Sequence, residues 1–581
     1  MPAEPRLMDH FFIKVDGNDV PSEVMDDLIE VTVDSSLHLP DAVTIHLHDE
    51  RLRWIDEGPF ELGKEIEVSA QPEGGGTSRV LFRGEITSLE PDFGEGTQAT
   101  LLVRAYDRSH RLHRGTHSEA YLDVTDSDLA TRIANEAGLR AQVDPTSEVH
   151  AYVLQRNQTH MEFLSERARR IGYELFVEDR TLHFRRPPRG SAALQLEWGN
   201  QLRSFRPRLS LVEQVDEVVV KGWDPKTRQA ITGHAQRGQA APQIGQHQSG
   251  QEIASSAFSS ARRVVVDVAV CSQAEADTVA QAILDEITGG YIEADGVCYG
   301  EPQLRAGRAV ELQALGRRLS GTYTVTEATH IYRKDGGYVT RFSIHGRRPA
   351  TLAALLEGDR RNGLGAYGPA IGIVTSNNDP KGWGRVKVRF PWLPDSVESA
   401  WARVASIGAG PERGIYWLPE INDEVLVLFE QGDVNRPYVI GGLWNGQDKP
   451  PLPNSDALAN GEVHRRILKT RAGHRLILTD GSDAGIVVET AGGHRLTLAD
   501  EKKKVTLETS GGVILSMDDA SSAISIESSG NLTIKSGANL SLEATGNLEL
   551  KGQMFSLQAN ATGEVNGGGM LTVKGNMVMI N

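Results

Sequence analysis

From residue 9 to residue 122, apolar and polar side chains alternate over short runs, among them Ile29–Val33, Val43–Leu47, Glu65–Val68, Val80–Phe82 and Leu101–Ala105. Gly, Pro and Asp clusters separate these runs, and a period of two bounded by turn formers predicts short strands. The period then changes. Thr125 and Asp128 have capping-box spacing, Leu129, Ile133, Ala134 and Ala137 form a helical stripe, and Gly138 supplies the stop. A second helix is predicted behind Thr159 and Glu162, with Phe163, Leu164, Arg167, Ala168 and Ile171 on one face and Gly172 at its end. Tyr173–Val177 and Thr181–Phe184 read as a strand pair around Glu178, Asp179 and Arg180. A third helix runs from about Gln273 to Ile287 behind Ser272 and Glu275, with Ala276, Val279, Ala280 and Ile283 inward. Strands return at Ala309–Gln313, Tyr323–Ile331 and Tyr338–Ile344. The whole predicts a β-rich pair of subdomains with inserted helices.

Residues 349–369 break this pattern. Beyond them, Ala370–Val374, Gly384–Phe390, Ala400–Val404 and Glu424–Phe429 are strand-like and separated by long turns. About five strands in so short a section suit a small barrel of the OB type. A connector bearing Pro and Asn then occupies residues 447–460.

The last section repeats. Thr470–Asp480 (TRAGHRLILTD) returns as Thr490–Asp500 (TAGGHRLTLAD) and, less well kept, as Thr509–Asp519 (TSGGVILSMDD). The period then shortens to eight. Ile524, Leu532, Leu540 and Leu548 form one series, Ile526, Ile534, Leu542 and Leu550 a second, with SSGN, SGAN and ATGN as turns. After Gln553 the register slips, recovering in part at Val565 and Val573.

An octad gives about five residues to a strand and three to a turn, so two or three apolar side chains point inward per repeat. One chain cannot bury such a face alone. Three chains, each forming one side of a triangular prism, would close around the two Ile/Leu series as a trimer core. A long two-sheet sandwich of repeats is the other arrangement. In the prism, backbone hydrogen bonds run between chains, and residues 470–581 predict a rod of roughly 65 Å at one strand spacing per octad. The final segment carries Met570, Val573, Met577, Met579 and Ile580. Soft apolar side chains beside unpaired strand ends describe a docking surface, with fraying of the last turn as the plainer reading.

Length and charge narrow the function. The 581 residues are enough for three or four domains, and 60 glycines suit strands and turns. A net charge of -17 argues against nucleic acid or anionic lipid as a broad partner, since a phosphate-binding face needs clustered Lys and Arg. Cys271 and Cys298 are the two cysteines, in no metal-ligand spacing, which fits synthesis in a reducing compartment. No long apolar segment opens the sequence and no run suffices to span a bilayer, so cytoplasmic assembly without a cleaved signal is expected.

Candidate chemistry is sparse. His464, His474 and His494 invite a metal, but no Cys or carboxylate stands at ligand spacing, and a repeat surface explains them better. Asp480–Gly485 resembles part of a calcium loop without its closing Glu and reads as a turn. Trp383, Trp392, Trp401 and Trp417 suit either a carbohydrate platform or barrel packing. Lys381, Arg385, Lys387 and Arg389 alternate with apolar residues as one solvated or subunit-facing side of a strand, positioned to meet acidic residues of a neighbouring protomer. No nucleophile elbow, zinc-protease or P-loop motif is present, and no catalytic residue, cofactor or metal is expected.

Three stretches resemble the VgrG proteins and the related hub-and-spike proteins of contractile phage tails and extracellular injection systems. They are Gln155–Phe176 with Leu182–Phe184 and Val218–Pro225, then Gly382–Trp392 with Trp401–Val404, Trp417–Phe429 and Gly432–Asn445, and finally the octad rod. The resemblance implies a mainly β chain. It would comprise a hub of β-barrel subdomains with inserted helices (1–350), a linker (351–369), an OB-fold spike base (370–446), a connector (447–469) and an intertwined trimeric β-prism needle (470–581). It further implies a pseudo-hexameric hub bound to inner-tube and baseplate proteins, a PAAR-like protein on the tip and transient contact with a target envelope. Neither the lysozyme domain of some phage spikes nor the toxin domain of some relatives is expected. A trimeric carbohydrate-binding or carbohydrate-degrading tailspike is the alternative, and the missing large β-helix domain weighs against it.

Overall fold

Eleven strands from the first 344 residues join in one antiparallel sheet, in the order Leu202–Leu209, Ile292–Tyr299, Gly337–Ile344, Glu327–Arg333, Leu28–Ser36, Ala42–His48, Ala99–Tyr106, Arg79–Phe93, Glu65–Gln71, His10–Val15 and Asn18–Asp19. The computed structural model describes residues 10–71, 78–95, 98–188, 194–240, 242–246, 248–346 and 368–580. They belong to two units, Met1–Asn445 and Gly446–Asn581. The predicted linker falls, apart from residues 368 and 369, outside the described residues.

The alternation in the early strands is a burial pattern. Val31, Val33, Val43, Ile45, Leu47, Ile66, Val68, Leu101 and Val103 pack in one core, while their neighbours face outward. Each of the five strands read between residues 9 and 122 lies within an observed one, and Arg79–Phe93 runs much longer than Val80–Phe82, whereas Gly384–Phe390 and Ala400–Val404 shorten to Lys387–Arg389 and Arg403–Val404.

Both capping boxes form. Thr125 and Asp128 start the helix Asp126–Glu136, with Gly138 left-handed behind it, and Thr159 and Glu162 start the helix His160–Ile171, closed by left-handed Gly172. Arg167, on the buried side of the second helix, donates to Asp126 at 2.5 Å, and that carboxylate begins the first helix. The third helix spans Gln273–Gly289, with Ser272 accepting from the Glu275 amide. A further helix, Gly250–Phe258, is capped by Ser249 and Glu252 in the same manner.

The predicted strand Tyr323–Ile331 is instead two strands. Gly321–Thr324 pairs with Ala309–Gln313 in a four-stranded sheet, and Glu327–Arg333 joins the eleven-stranded one. Between them the Val325 amide donates to Arg308 and the Thr326 amide to Ser343, so the chain changes sheets there.

Residues 370–442 form a five-stranded sheet ordered Lys387–Arg389, Ala370–Ser376, Glu424–Phe429, Pro437–Gly442 and Arg403–Val404. Paired bonds between Val386 and Ala402, at 2.9 and 2.7 Å, close it into a barrel around Val374, Val388, Phe390, Val425, Val427 and Val439. The barrel packs against the preceding part of its own unit. Tyr152 donates to the Glu398 carbonyl at 2.7 Å, the Leu154 amide to Asn435 at 2.8 Å, and Leu154 enters the barrel's core cluster.

In the second unit, seven strands from Arg465–Lys469 to Ala523–Glu527 form an antiparallel meander in which each pairs with the next. Two expectations are corrected here. The ladder through residue 527 runs within one chain, not between chains, and its period is near ten: Ile477, Val487, Thr497, Thr506, Ser516 and Ser525 are successive partners. Turns long enough to reverse the chain account for both. Beyond Glu527, no described residue joins a strand, although the sequence predicted strands at each octad. An eight-residue unit has too little turn to fold back and pair with itself.

Candidate functional site

The register of the meander sorts its side chains into columns. Ile467, Ile477, Val487, Thr497, Thr506, Ser516 and Ser525 oppose one another on one face, flanked there by charged residues such as Arg475 and Glu489, which pair at 2.9 Å. The other face carries two columns. One is Arg466, Leu478, Ile486, Leu498, Val505, Met517 and Ile524; the other is Leu468, Leu476, Val488, Leu496, Leu507, Leu515 and Ile526. Every member but Arg466 is apolar, and Arg466 reaches Asp480 at 2.5 Å.

Ile524 and Ile526 end these columns and begin the octad series. Together with Leu532, Ile534, Leu540, Leu542, Leu548 and Leu550 they are between 53% and 72% exposed. Exposure this extensive, along one continuous line, marks a surface meant to be covered. The register slip also resolves. Five residues separate Leu542 from Leu548, but only four separate Leu550 from Phe555, after which eights resume through Leu557, Val565, Leu571, Val573 and Met579. A single seven-residue unit was the signal overlooked. In this phase Val573 and Met579 continue the columns, while Met570, Met577 and Ile580 fall outside them, and all five are exposed.

The repeat histidines serve the turns. His474 Nδ1 accepts the Ala491 amide at 3.2 Å, and His494 Nδ1 accepts the Ser510 amide at 3.3 Å, each from the next repeat's turn. Along the other edge the amides of Asp480, Asp500 and Asp519 donate to the carbonyls of His464, Ala484 and Lys503. Asp480–Gly485 is accordingly the turn between Arg475–Thr479 and Gly485–Glu489.

On the barrel, three of the four cations in the run pair with carboxylates of their own chain, while Lys381 lies over the Trp383 ring at 5.5 Å. Arg385 grips the buried Asp379 with Nη2 at 2.6 Å and Nε at 3.0 Å; Lys387 meets Glu398 at 3.2 Å and Arg389 meets Asp395 at 2.7 Å. Trp383 and Trp401 lie beneath Arg385, and Trp392 stacks on Phe390 beneath Arg156 at 4.3 Å. Each of these three rings has a cationic or aromatic neighbour on one side, yet Trp383 and Trp392 remain 43% exposed and Trp417 is 56% exposed.

Cys271, exposed, and Cys298, buried, are free thiols; partial desolvation and the adjacent Glu275 carboxylate raise the first to about 11, and burial raises the second to about 12. Among the described residues no group of three or more His, Cys, Asp or Glu is placed to hold a metal, and no helix is long and apolar enough to cross a membrane.

Residues 7–334, more than half of the chain, match the Alg8 N-terminal domain, and residues 370–444 match the Type VI secretion system/phage-baseplate injector OB domain. The chain is 39% identical over 83 residues to the type VI secretion system spike protein VgrG2a of Pseudomonas aeruginosa, covering 13% of this chain and 10% of that one. It is 30% identical over 174 residues to the actin cross-linking toxin VgrG1 of Vibrio cholerae, covering 26% of this chain and 15% of that one. The matched stretches thus span only a small part of either relative's length. In fold it is similar to the half-lidded Francisella PdpA-VgrG complex, with a TM-score of 0.50 at 8% identity over 90% of this chain and 88% of that one. The chain belongs to the family that the Alg8 N-terminal domain defines, carries an injector OB domain behind it, and over part of its length is similar to VgrG spike proteins.

Proposed function

We propose that the chain is the central spike of a contractile injection system, working as a homotrimer that carries sheath contraction into a target envelope without catalysis. The single observation that supports this is the uncovered pair of apolar columns running from the meander into the octads. Burying a Leu or Ile contributes about 1.5–3 kcal/mol, so a line of them is a strong drive to associate. Three such lines facing one axis form a closed prism with Ile524, Ile526, Leu532, Ile534, Leu540, Leu542, Leu548 and Leu550 as its core. Closure also supplies inter-chain partners to the octad backbone, and a closed prism has no lateral edge.

In this reading residues 1–350 are the hub that meets inner-tube and baseplate proteins, and residues 370–446 are the spike base. The 447–469 connector leads into the needle at 470–581, and Arg465–Lys469 is already part of the needle's sheet. Met570, Val573, Met577, Met579 and Ile580 receive a PAAR-like tip protein. The protein is assembled in the cytoplasm and meets the target membrane only transiently. Light-scattering mass measurement tests the assembly: three times 63.3 kDa is expected, and a folded monomer at micromolar concentration overturns it.

A further inference from the structure

The OB barrel leaves two separate apolar surfaces bare. One is an arm, residues 405–423, that rises between Arg403–Val404 and Glu424–Phe429. Its small hairpin pairs Ala409 with Gly414 and Gly410 with Arg413, and Ser406 Oγ fastens the base by donating to the carbonyls of Gly408 and Ile415. Along this arm Ile407 is 94% and Tyr416 80% exposed, with Ile415, Trp417 and Ile421 each more than half exposed. The other surface is the outside of the barrel wall. Strand alternation turns Val374, Val425, Val427 and Val439 inward and leaves Ile371, Leu428 and Ile440 exposed, with Leu426 directly opposite Ile371. The outside of a barrel in water is ordinarily polar, and Gly441 and Gly442 keep this one flat beside Ile440.

We infer that the arm of one copy lies across the outer wall of the next copy's barrel, so that three arms and three walls close a ring. The inference rests on the trimeric reading above. Cyclic assemblies with head-to-tail contacts need two different patches on each subunit, and this domain carries one projecting and one flat. A foreign partner seated on either patch would leave the other bare. The area is adequate: the arm offers on the order of 600 Å² and the wall about as much, and about 1,200 Å² in total clears the roughly 1,000 Å² expected of a biological interface. Barrels joined through so short a connector to a shared rod are also held at high effective concentration.

The test places a photo-cross-linking amino acid at Tyr416 of the full chain, in trimers mixed from isotope-labelled and unlabelled copies. Expected are trimer mass and cross-links between copies, from residue 416 to residues 370–376 or 424–442, with Leu428→Asp lowering their yield at least tenfold. Trimer mass with cross-links confined to one copy, directed elsewhere, or absent overturns the arm-to-wall contact alone. Monomer mass overturns the trimeric reading and this contact with it.

Discussion

His494 Nδ1 accepts the backbone amide of Ser510, sixteen residues on, and so fastens one turn of the C-terminal meander to the next. His474 does the same for Ala491, whereas the third repeat has Val513 at this place and the series of staples stops. Replacing His494 with Ala removes the acceptor, and Asn returns an oxygen at nearly the same reach. His494→Ala should therefore destabilise the sheet by about 0.5–1 kcal/mol and His494→Asn by less. Amide hydrogen exchange at Ser510 should quicken in the first variant only; equal exchange in both would remove the staple.

Asp379 is held by Arg385 and accepts from the amides of Lys381 and Trp383 at 2.9 and 2.8 Å. Arg385 is the main cause, with those amides in support, of a carboxyl well below the usual carboxylate range despite burial. A depressed carboxylate contributes stability in full above its unfolded value, near pH 4, and loses it only as pH falls towards the folded one. Asp379→Asn should cost the barrel about 1–2 kcal/mol at pH 7, because the half-buried Arg385 then loses its charge partner. Between pH 4 and pH 2 the difference from wild type in urea unfolding should shrink. A difference that holds constant over that range would assign the cost to packing.

Asp107 works in the opposite sense. Burial first, and the nearby Asp41 second, push its carboxyl up, while Ser109 partly offsets them. A raised carboxyl contributes most in its neutral form, so its stabilisation is complete below pH 4 and declines as pH rises through the folded value. Asp107→Asn keeps the Oδ1 that accepts from the Ser109 amide at 3.0 Å and abolishes the titration. Its melting temperature relative to wild type should rise between pH 5 and pH 9. A flat or falling difference by calorimetry would mean that Asp107 stays charged and paired.

What was legible in the sequence was local. Thr159 and Glu162 fix a helix start within four residues, and both bonds form. Ser249 and Glu252 send the same signal, with Ile253, Ala254, Ala257 and Phe258 at helical spacing behind them, so this short helix was legible too and went unread. The break at Val325 was hidden because its cause lies in bonds to Arg308 and Ser343, remote in sequence. Arg385 alternates with apolar neighbours like any strand surface, and only the turn at Asp379 brings the carboxylate onto it. In the meander the twenty-residue repeat holds two strands and two turns. Reading it in octads therefore overstated the number of strands and sent their hydrogen bonds to other chains.

The tip assignment divides by position. Met570 and Ile580 lie outside the columns where higher octads carry Asn539, Asn547 and Ser541, and Met577 stands where they carry the small residues Ala538 and Gly546. Large apolar side chains at positions that are polar or small elsewhere suit contact with a partner more than packing inside the rod. Deleting residues 570–581 should leave the trimer mass intact and abolish capture of the cognate PAAR-like protein, with Met577→Lys weakening capture at least tenfold. Full capture by the truncated trimer in a pull-down would return these residues to ordinary end-of-rod packing.

Leu540 and Ser541 are neighbours on opposite faces in the octad phase, and this makes them the sharpest test of the core. Leu540→Asp sets three carboxylates together in a closed apolar column, where water cannot reach them and no cation stands at that level. Burying such charge costs several kcal/mol per group, more than the remaining leucines of adjacent levels recover. Ser541→Asp adds the same three charges to the outer surface, where solvent and salt screen them. The expected result is loss of trimer mass, or of its resistance to heat and detergent, in Leu540→Asp, with Ser541→Asp behaving as wild type. Both proteins should keep a folded first unit, whose hydrophobic cores include none of these residues. The reverse outcome, with Ser541→Asp disrupted and Leu540→Asp stable, would turn the columns outward and place the axis on the opposite face.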